Sequence, residues 1–153
     1  MQRLMTFLVV LVAVSIAPMT PPLMAAGKMR VETVVIKTTS GEYSFEAEIA
    51  DTPLHKSRGL MQRPLMDADR GMLFDNGEDR EMFMWMKNTI LALDMIFITK
   101  DGTVASIAKN TVPFSETIIA SGQPVRGVLE VNAGTAERIG LKPGDKVEHP
   151  MFQ

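Results

Sequence analysis

"LDMIFITKDGTVASIAK" (Leu93–Lys109) is the stretch that decides what kind of fold this chain builds. Two apolar runs flank Lys100-Asp101-Gly102, and Asp-Gly between apolar runs is a strong hairpin signal, because a tight turn needs residues that tolerate positive φ. Within the first run Asp94 alternates with Leu93 and Met95 and shares a face with Ile96 and Ile98. A carboxylate on an apolar strand face is costly to bury unless it is paired and hydrogen-bonded. The hairpin therefore predicts a β protein and raises the question of what meets Asp94.

Upstream, "VETVVIKTTSGEYSFEAEIAD" (Val31–Asp51) reads as a second hairpin turning at Ser40-Gly41. Tyr43, Phe45, Ala47 and Ile49 face one way, and Glu42, Ser44, Glu46 and Glu48 the other, which makes a half-buried antiparallel strand. Asp51 or Thr52 can cap a short helix that starts at Pro53, where a missing N–H costs nothing, and Gly59 ends or bends it. Leu54, Leu60 and Met61 supply its buried side. A short strand at Met72–Phe74 precedes a turn at Asn76-Gly77. In "EMFMWMK" (Glu81–Lys87) Phe83 and Trp85 alternate with Met82, Met84 and Met86, so that strand is predicted to be covered on both faces.

Downstream lie an irregular connection with a short edge strand at Thr117–Ala120, a strand in "VRGVLEVNAG" (Val125–Gly134), a short helix stopped by Gly140, and a last short strand after Pro143-Gly144. Many short strands at spacings of roughly 8–12 residues indicate a mainly β domain. The expected form is a single compact sandwich or barrel of short, mostly antiparallel strands with two short helices. The chain shows no repeat and no internal linker.

The first residues have a different character. Arg3 precedes an apolar run from Leu4 to Ile16, and Ala25-Ala26 offers a small-residue exit. This is the pattern of a secretory signal, residues 1–26, cleaved after Ala26 or Ala25, and it predicts a periplasmic or otherwise exported domain at 27–153. The run is shorter than the roughly 20 residues a membrane span needs, so no span is expected after cleavage; a retained N-terminal anchor is the alternative. Cleavage removes one arginine and no acid, leaving the remainder slightly more acidic than the −2 of the whole chain. No clustered basic face recruits nucleic acid. Without cysteine there is no disulfide, so a hydrophobic core must supply the stability. The composition leaves oligomeric state open.

Several phrases, spaced along the chain, carry a family likeness: Arg58-Gly59-Leu60-Met61-Gln62-Arg63, Gly71-Met72-Leu73-Phe74, Trp85-Met86-Lys87-Asn88-Thr89, Leu93-Asp94-Met95-Ile96-Phe97-Ile98, Asp101-Gly102-Thr103-Val104, Val128-Leu129-Glu130-Val131-Asn132-Ala133-Gly134 and Gly140-Leu141-Lys142-Pro143-Gly144-Asp145. In this order they resemble the domain of unknown function family 192, over roughly Glu32 to Glu148. The chain departs from the pattern at Leu91-Ala92, where an Ile-Pro pair is expected before Leu93-Asp94. The resemblance implies a compact, mainly β fold, often exported or membrane-proximal, and carries over no reaction.

Polar residues inside apolar surroundings form the candidate site: Arg58, Arg63, Trp85, Lys87, Asn88, Thr89, Asp94 and Glu130. Glu130 shares a strand face with Val128, as Asp94 does with Ile96. Arg58 or Arg63 is the expected partner of these carboxylates, since a guanidinium bonds both oxygens at once. Such a network either locks helix onto sheet, with Lys87-Asn88-Thr89 satisfying a tight turn, or opens onto a cleft that holds a small polar or anionic ligand, with Trp85, Phe83 and the methionines as its wall. The leading expectation is a non-catalytic binding or accessory module of the cell envelope, with no catalytic residue assigned. One alternative is an envelope sugar or ester hydrolase using Asp94 and Glu130 as paired carboxylates. Another is a Cu(I) site at Met82, Met84 and Met86, because thioethers are soft ligands, with His55 joining if its helix folds over that strand. Period-two methionine also fits plain core packing, and the leading reading assigns no cofactor and no metal. The acidic loops Asp67–Gly71 and Asp75–Asp79 lack calcium-loop spacing. His149 sits at the tail, and no Gly-x-Ser-x-Gly elbow is present for a serine hydrolase.

Overall fold

Residues 27–152 are described by a computed structural model, so the predicted signal, residues 1–26, lies outside the described residues. The chain runs β1 (Val31–Thr38), β2 (Gly41–Ala50), α1 (Pro53–Arg58), β3 (Arg70–Arg80), β4 (Phe83–Met84), β5 (Leu93–Ile98), β6 (Val104–Ala108), β7 (Ile119–Ala120), β8 (Val125–Asn132), α2 (Thr135–Arg138) and β9 (Lys146–Glu148). Seven strands form one sheet in the order β6-β5-β8-β3-β2-β1-β9, and β4 pairs with β7 in a separate ribbon. The expected β fold with two short helices is what the chain builds. Among the described residues no helix is long and apolar enough to cross a membrane.

The sheet is curled into a half-barrel, and its two edge strands are stitched together. Val147 N–H donates to Gly102 O at 2.7 Å and Val104 N–H to Asp145 O at 2.9 Å, beside a bridge between Thr103 and Lys146. The concave face gathers side chains from all seven strands, including Val34, Ile36, Phe45, Ile49, Leu73, Ile96, Leu129 and Val147, with Ala136, Ile139 and Leu141 closing one end. Strand alternation selects this set, since period two places every second residue on one face.

The convex face is covered only over its centre. β2 and β3 are parallel, and a parallel pair needs a crossover rather than a tight turn. That crossover carries α1 and the following loop over the outer surface, where Leu60 packs with Met72, Phe74, Leu93, Met95, Phe97 and Val128. Covered on both sides, all six residues of β5 are buried. α1 forms as its sequence dictates: Thr52 Oγ1 accepts from His55 N–H at 3.1 Å, Pro53 opens the helix, and Gly59, at φ 48°, closes it by donating to His55 O at 2.8 Å.

A second cover is the arm formed by β4, β7 and their flanks. It is held by Ser121 N–H to Met82 O, Met86 N–H to Ser115 O and Phe114 N–H to Thr89 O, at 2.9, 2.9 and 3.1 Å. The expectation that Met82–Met86 is covered on both faces is not met: only Phe83 and Met84 pair as a strand, and Phe83 and Trp85 are 62% and 44% exposed. The alternation itself holds, because Met82, Met84 and Met86 pack toward the sheet. The arm is the outermost layer, so nothing lies over its aromatic side. β3 is also longer than its apolar core suggested: Asp75 accepts from Gly77 N–H at 2.7 Å, and the Asn76-Gly77 turn becomes an irregularity within the strand.

Gly102 is where the closure is most constrained. Its φ is +77°, and a Cβ would lie 2.4 Å from Val147 O. A side chain there is strained and pushes apart the two edges at once. Gly102→Ala is expected to cost about 2 kcal/mol or more in urea unfolding; a change within about 0.5 kcal/mol would mean the edge-to-edge stitching contributes little.

Candidate functional site

The two carboxylates expected to share a network lie on opposite faces of the sheet. In the β5–β8 register Asp94 sits opposite Val131 and Met95 opposite Glu130. Paired residues point the same way, so Asp94 joins the concave core and Glu130 the convex face. The sequence pattern showed each residue's face within its own strand; it did not show the register that relates the strands. The paired-carboxylate geometry required by the hydrolase alternative is absent, because a sheet separates the two groups.

Asp94 has no exposure, and backbone groups satisfy it: Oδ1 accepts from Asn110 N–H and Oδ2 from Ala136 N–H, both at 2.8 Å. The residue before α2, Gly134, has no side chain to cap it. Asp94 therefore supplies, from the sheet, an acceptor for a first-turn N–H that would otherwise be an orphan. Hydrogen bonds to a charged group are worth about 1.5–3 kcal/mol, so this carboxylate fixes α2 and the loop after β6 to the end of β5. The expected guanidinium partner is not needed, since two N–H dipoles do the work.

Neither arginine reaches a strand carboxylate of the candidate set. Arg63 makes a two-pronged pair with Glu48 of β2, at 2.6 and 3.0 Å, which ties the crossover loop to the sheet. That hydrogen bonding holds the Arg63 charge more firmly than usual. Arg58 is exposed, and among the described residues it meets no carboxylate. Lys87 is a partly exposed residue of the arm, with Nζ 3.4 Å from Glu116 and 5.2 Å from the centroid of Trp85. Asn88 occupies the left-handed region at φ 54°, and its carbonyl accepts from Gln62 N–H at 2.9 Å, joining arm to crossover loop. Thr89 closes the turn, donating to Lys87 O at 3.2 Å. Lys87-Asn88-Thr89 thus forms the tight turn that one of the two readings anticipated.

Glu130 is different. It is 4% exposed, and among the described residues its side chain makes neither a hydrogen bond nor an ion pair. Burial pushes its carboxyl up to about 8. It lies on the wall of a cleft of about 180 Å³ between α1 and the arm, with Leu60, Phe74, Met84, Trp85 and Thr89 around it and Lys56 and Arg58 at the helix end. Of the eight expected residues this cleft unites four: Arg58, Trp85, Thr89 and Glu130. Arg63, Lys87, Asn88 and Asp94 serve elsewhere. Phe74, Leu60 and Lys56 were not among the candidates, and their place in the cleft depends on the crossover passing over β3 and β8. Gly59 lets the helix end approach: a Cβ there would lie 3.2 Å from the Phe74 ring.

The methionine trio is divided. Met82 and Met84 line the cleft with Met61, whereas Met86 is buried, and its sulfur accepts from the Thr111 hydroxyl at 3.2 Å. His55 turns away, with Nε2 3.2 Å from Gly27 O and Nδ1 3.6 Å from Asp51. His149 is no loose tail residue; its Nε2 is 2.9 Å from Glu32, and its ring meets Phe152 edge-on.

A family model for DUF192, described as Uncharacterized ACR, matches residues 34–149. The chain belongs to domain of unknown function family 192. Two solved structures resemble this family member closely. One is a proposed transcription regulator from Sinorhizobium meliloti 1021, 49% identical, with TM-score 0.78, covering 81% of this chain and 97% of that one. The other is a protein of unknown function from Novosphingobium aromaticivorans DSM 12444, 38% identical, with TM-score 0.77, covering 88% and 94%. Among curated proteins none matches. The family pattern's departure at Leu91-Ala92 leaves the turn in place, where Ala92 O accepts from Ala133 N–H at 3.0 Å.

The raised Glu130 value has a sign that can be measured. Unfolding returns the group to its ordinary value near 4.5, so between that value and about 8 the folded chain holds the extra proton. Its effect on stability is most favourable below the unfolded value and declines as pH rises through this window. Glu130→Gln should flatten the decline in urea unfolding between about pH 5 and 8. An unchanged slope would show that Glu130 ionises normally in the folded state.

Proposed function

We propose that this family member is a non-catalytic binding module of the cell envelope, exported by its N-terminal segment, and that it takes a small ligand in the cleft between α1 and the arm. One observation carries the reading: Glu130 is a nearly buried carboxyl that meets no hydrogen-bonding group among the described residues and opens onto the wall of a largely apolar pocket. Buried polar groups are normally satisfied, and leaving one unmet costs about 1–3 kcal/mol. A ligand atom is the partner that makes the arrangement sensible. Ligand sites generally combine an apolar wall with a few convergent polar groups.

The ligand's general form follows from the walls. The cleft, at about 180 Å³, is slightly larger than the roughly 150 Å³ that admits a benzene ring. Trp85, Phe74 and Met84 favour a ring or short branched chain. Near neutral pH, Glu130 retains its proton and can donate to a ligand hydroxyl or carbonyl oxygen, and it can also accept from a hydroxyl.

Titrating the purified domain with p-cresol and with toluene, followed by amide and indole NMR shifts, tests this. The expected result is shifts centred on Gly59, Leu60 and Trp85, with p-cresol bound about five- to tenfold more tightly than toluene, the worth of one hydrogen bond. Glu130→Leu should remove that preference. Absence of shifts at the cleft, or a preference that survives in Glu130→Leu, would overturn the reading.

A further inference from the structure

A second cavity, of about 490 Å³, adjoins the cleft. The two share Arg58, Gly59 and Met61, so the helix end and its glycine form the saddle between them. Their chemistries differ. The cleft is mainly apolar, with Phe74, Met84 and Trp85 in its wall beside Glu130 and, besides the shared Arg58, with Lys56, Ser57 and Thr89 as its other polar residues. The second cavity is lined by Lys28, His55, Gln62 and Arg63, with Glu48 as its one acid. Glu48 is already engaged by Arg63 through both oxygens. Among the described residues neither Lys28 nor Arg58 has a carboxylate partner, so the positive charge on this side is uncompensated.

An exposed cation without a partner is ordinary on a protein surface. Arg58 differs in its position, at the boundary between a polar cavity and an apolar cleft whose buried carboxyl also lacks a partner. The arrangement has three parts in sequence: a cationic vestibule, an apolar slot and a hydrogen-bonding group in the slot wall. Gly59 keeps the saddle low, since any Cβ there meets Phe74. A planar guanidinium suits a carboxylate or phosphate oxygen pair better than an ammonium does.

Resting on the cleft reading above, we infer that the ligand is an amphiphilic anion: its carboxylate or phosphate monoester head sits in the vestibule against Arg58 and Lys28, its apolar body crosses Gly59 under Trp85, and an uncharged polar group at its far end meets Glu130. Neither part alone is the ligand. A free inorganic anion would leave the slot empty, and a neutral ring would leave Arg58 without a partner.

The test uses the mature domain and four probes: 4-hydroxyphenylacetate, 4-hydroxybenzylphosphonate, their neutral counterpart 2-(4-hydroxyphenyl)ethanol, and inorganic phosphate. Binding is followed by NMR shifts and calorimetry at low salt. At least one organic anion is expected to bind about tenfold or more tightly than the neutral alcohol, and inorganic phosphate weakly; the better of the two anions identifies the head. Arg58→Ala should lower the ratio of anion to alcohol affinity to about one, with the amide spectrum of the fold retained. Arg58→Lys should restore part of it. If the alcohol binds the cleft as tightly as both anions, or Arg58→Ala leaves the ratio unchanged, the anionic assignment fails and the cleft reading stands. If inorganic phosphate binds as well as the organic anions, the two-part site is wrong. If no organic probe shifts the cleft, both readings fall.

Discussion

The pleat of two neighbouring strands is the constraint on which the rest depends. β5 and β8 lie side by side in the sheet, and each carries one carboxylate among apolar residues. Their register sends Asp94 to the concave side and Glu130 to the convex side. A shift of one residue in either strand would exchange the faces and bury the wrong side chains. The register is therefore held by the whole core, and the division of the two acids comes with it.

The two acids then meet opposite fates in nearly equal burial. Asp94 finds two N–H donors, from the loop after β6 and from the first turn of α2. It substitutes for a missing helix cap and becomes part of the fold. Among the described residues Glu130 finds none: the elements over it arrive by the β2–β3 crossover and by the arm, and the donors they bring to the cleft are used elsewhere, Lys56 on Asp75 O and Thr89 on Lys87 O. Arginine, which could have neutralised it, is drawn away: Arg63 binds Glu48, and Arg58 stays exposed at the end of α1. A sequence selected for stability alone would place an apolar residue at position 130, since an unmet buried acid is a net cost. Binding sites are where such local costs are retained.

Much of this was legible in the sequence, for physical reasons. Strand alternation and the Asp101-Gly102 turn gave the hairpins. Thr52, Pro53 and Gly59 marked α1, because capping chemistry is local. The faces of Asp94 and Glu130 within their own strands were also readable. What one strand does not carry is its register to the next or the path of a parallel crossover, both set by long-range packing. For that reason the strand pattern points to a joint network of Arg58, Arg63, Asp94 and Glu130 that the register divides, and it does not point to Phe74 and Lys56 at the cleft. Phe83 and Trp85 read as covered, because an apolar pair looks the same in sequence whether or not an outer layer lies over it.

The most direct measurement is the stability of Glu130→Leu against the parent chain, by urea unfolding at about pH 7.5. Leucine removes the unmet acid at similar volume, so the variant is expected to be more stable by about 1–3 kcal/mol, with a smaller gain at about pH 4, where the parent acid is protonated in both folded and unfolded states. A variant less stable than the parent by a similar amount would mean that Glu130 has a structural partner and that the cleft was not kept for a ligand.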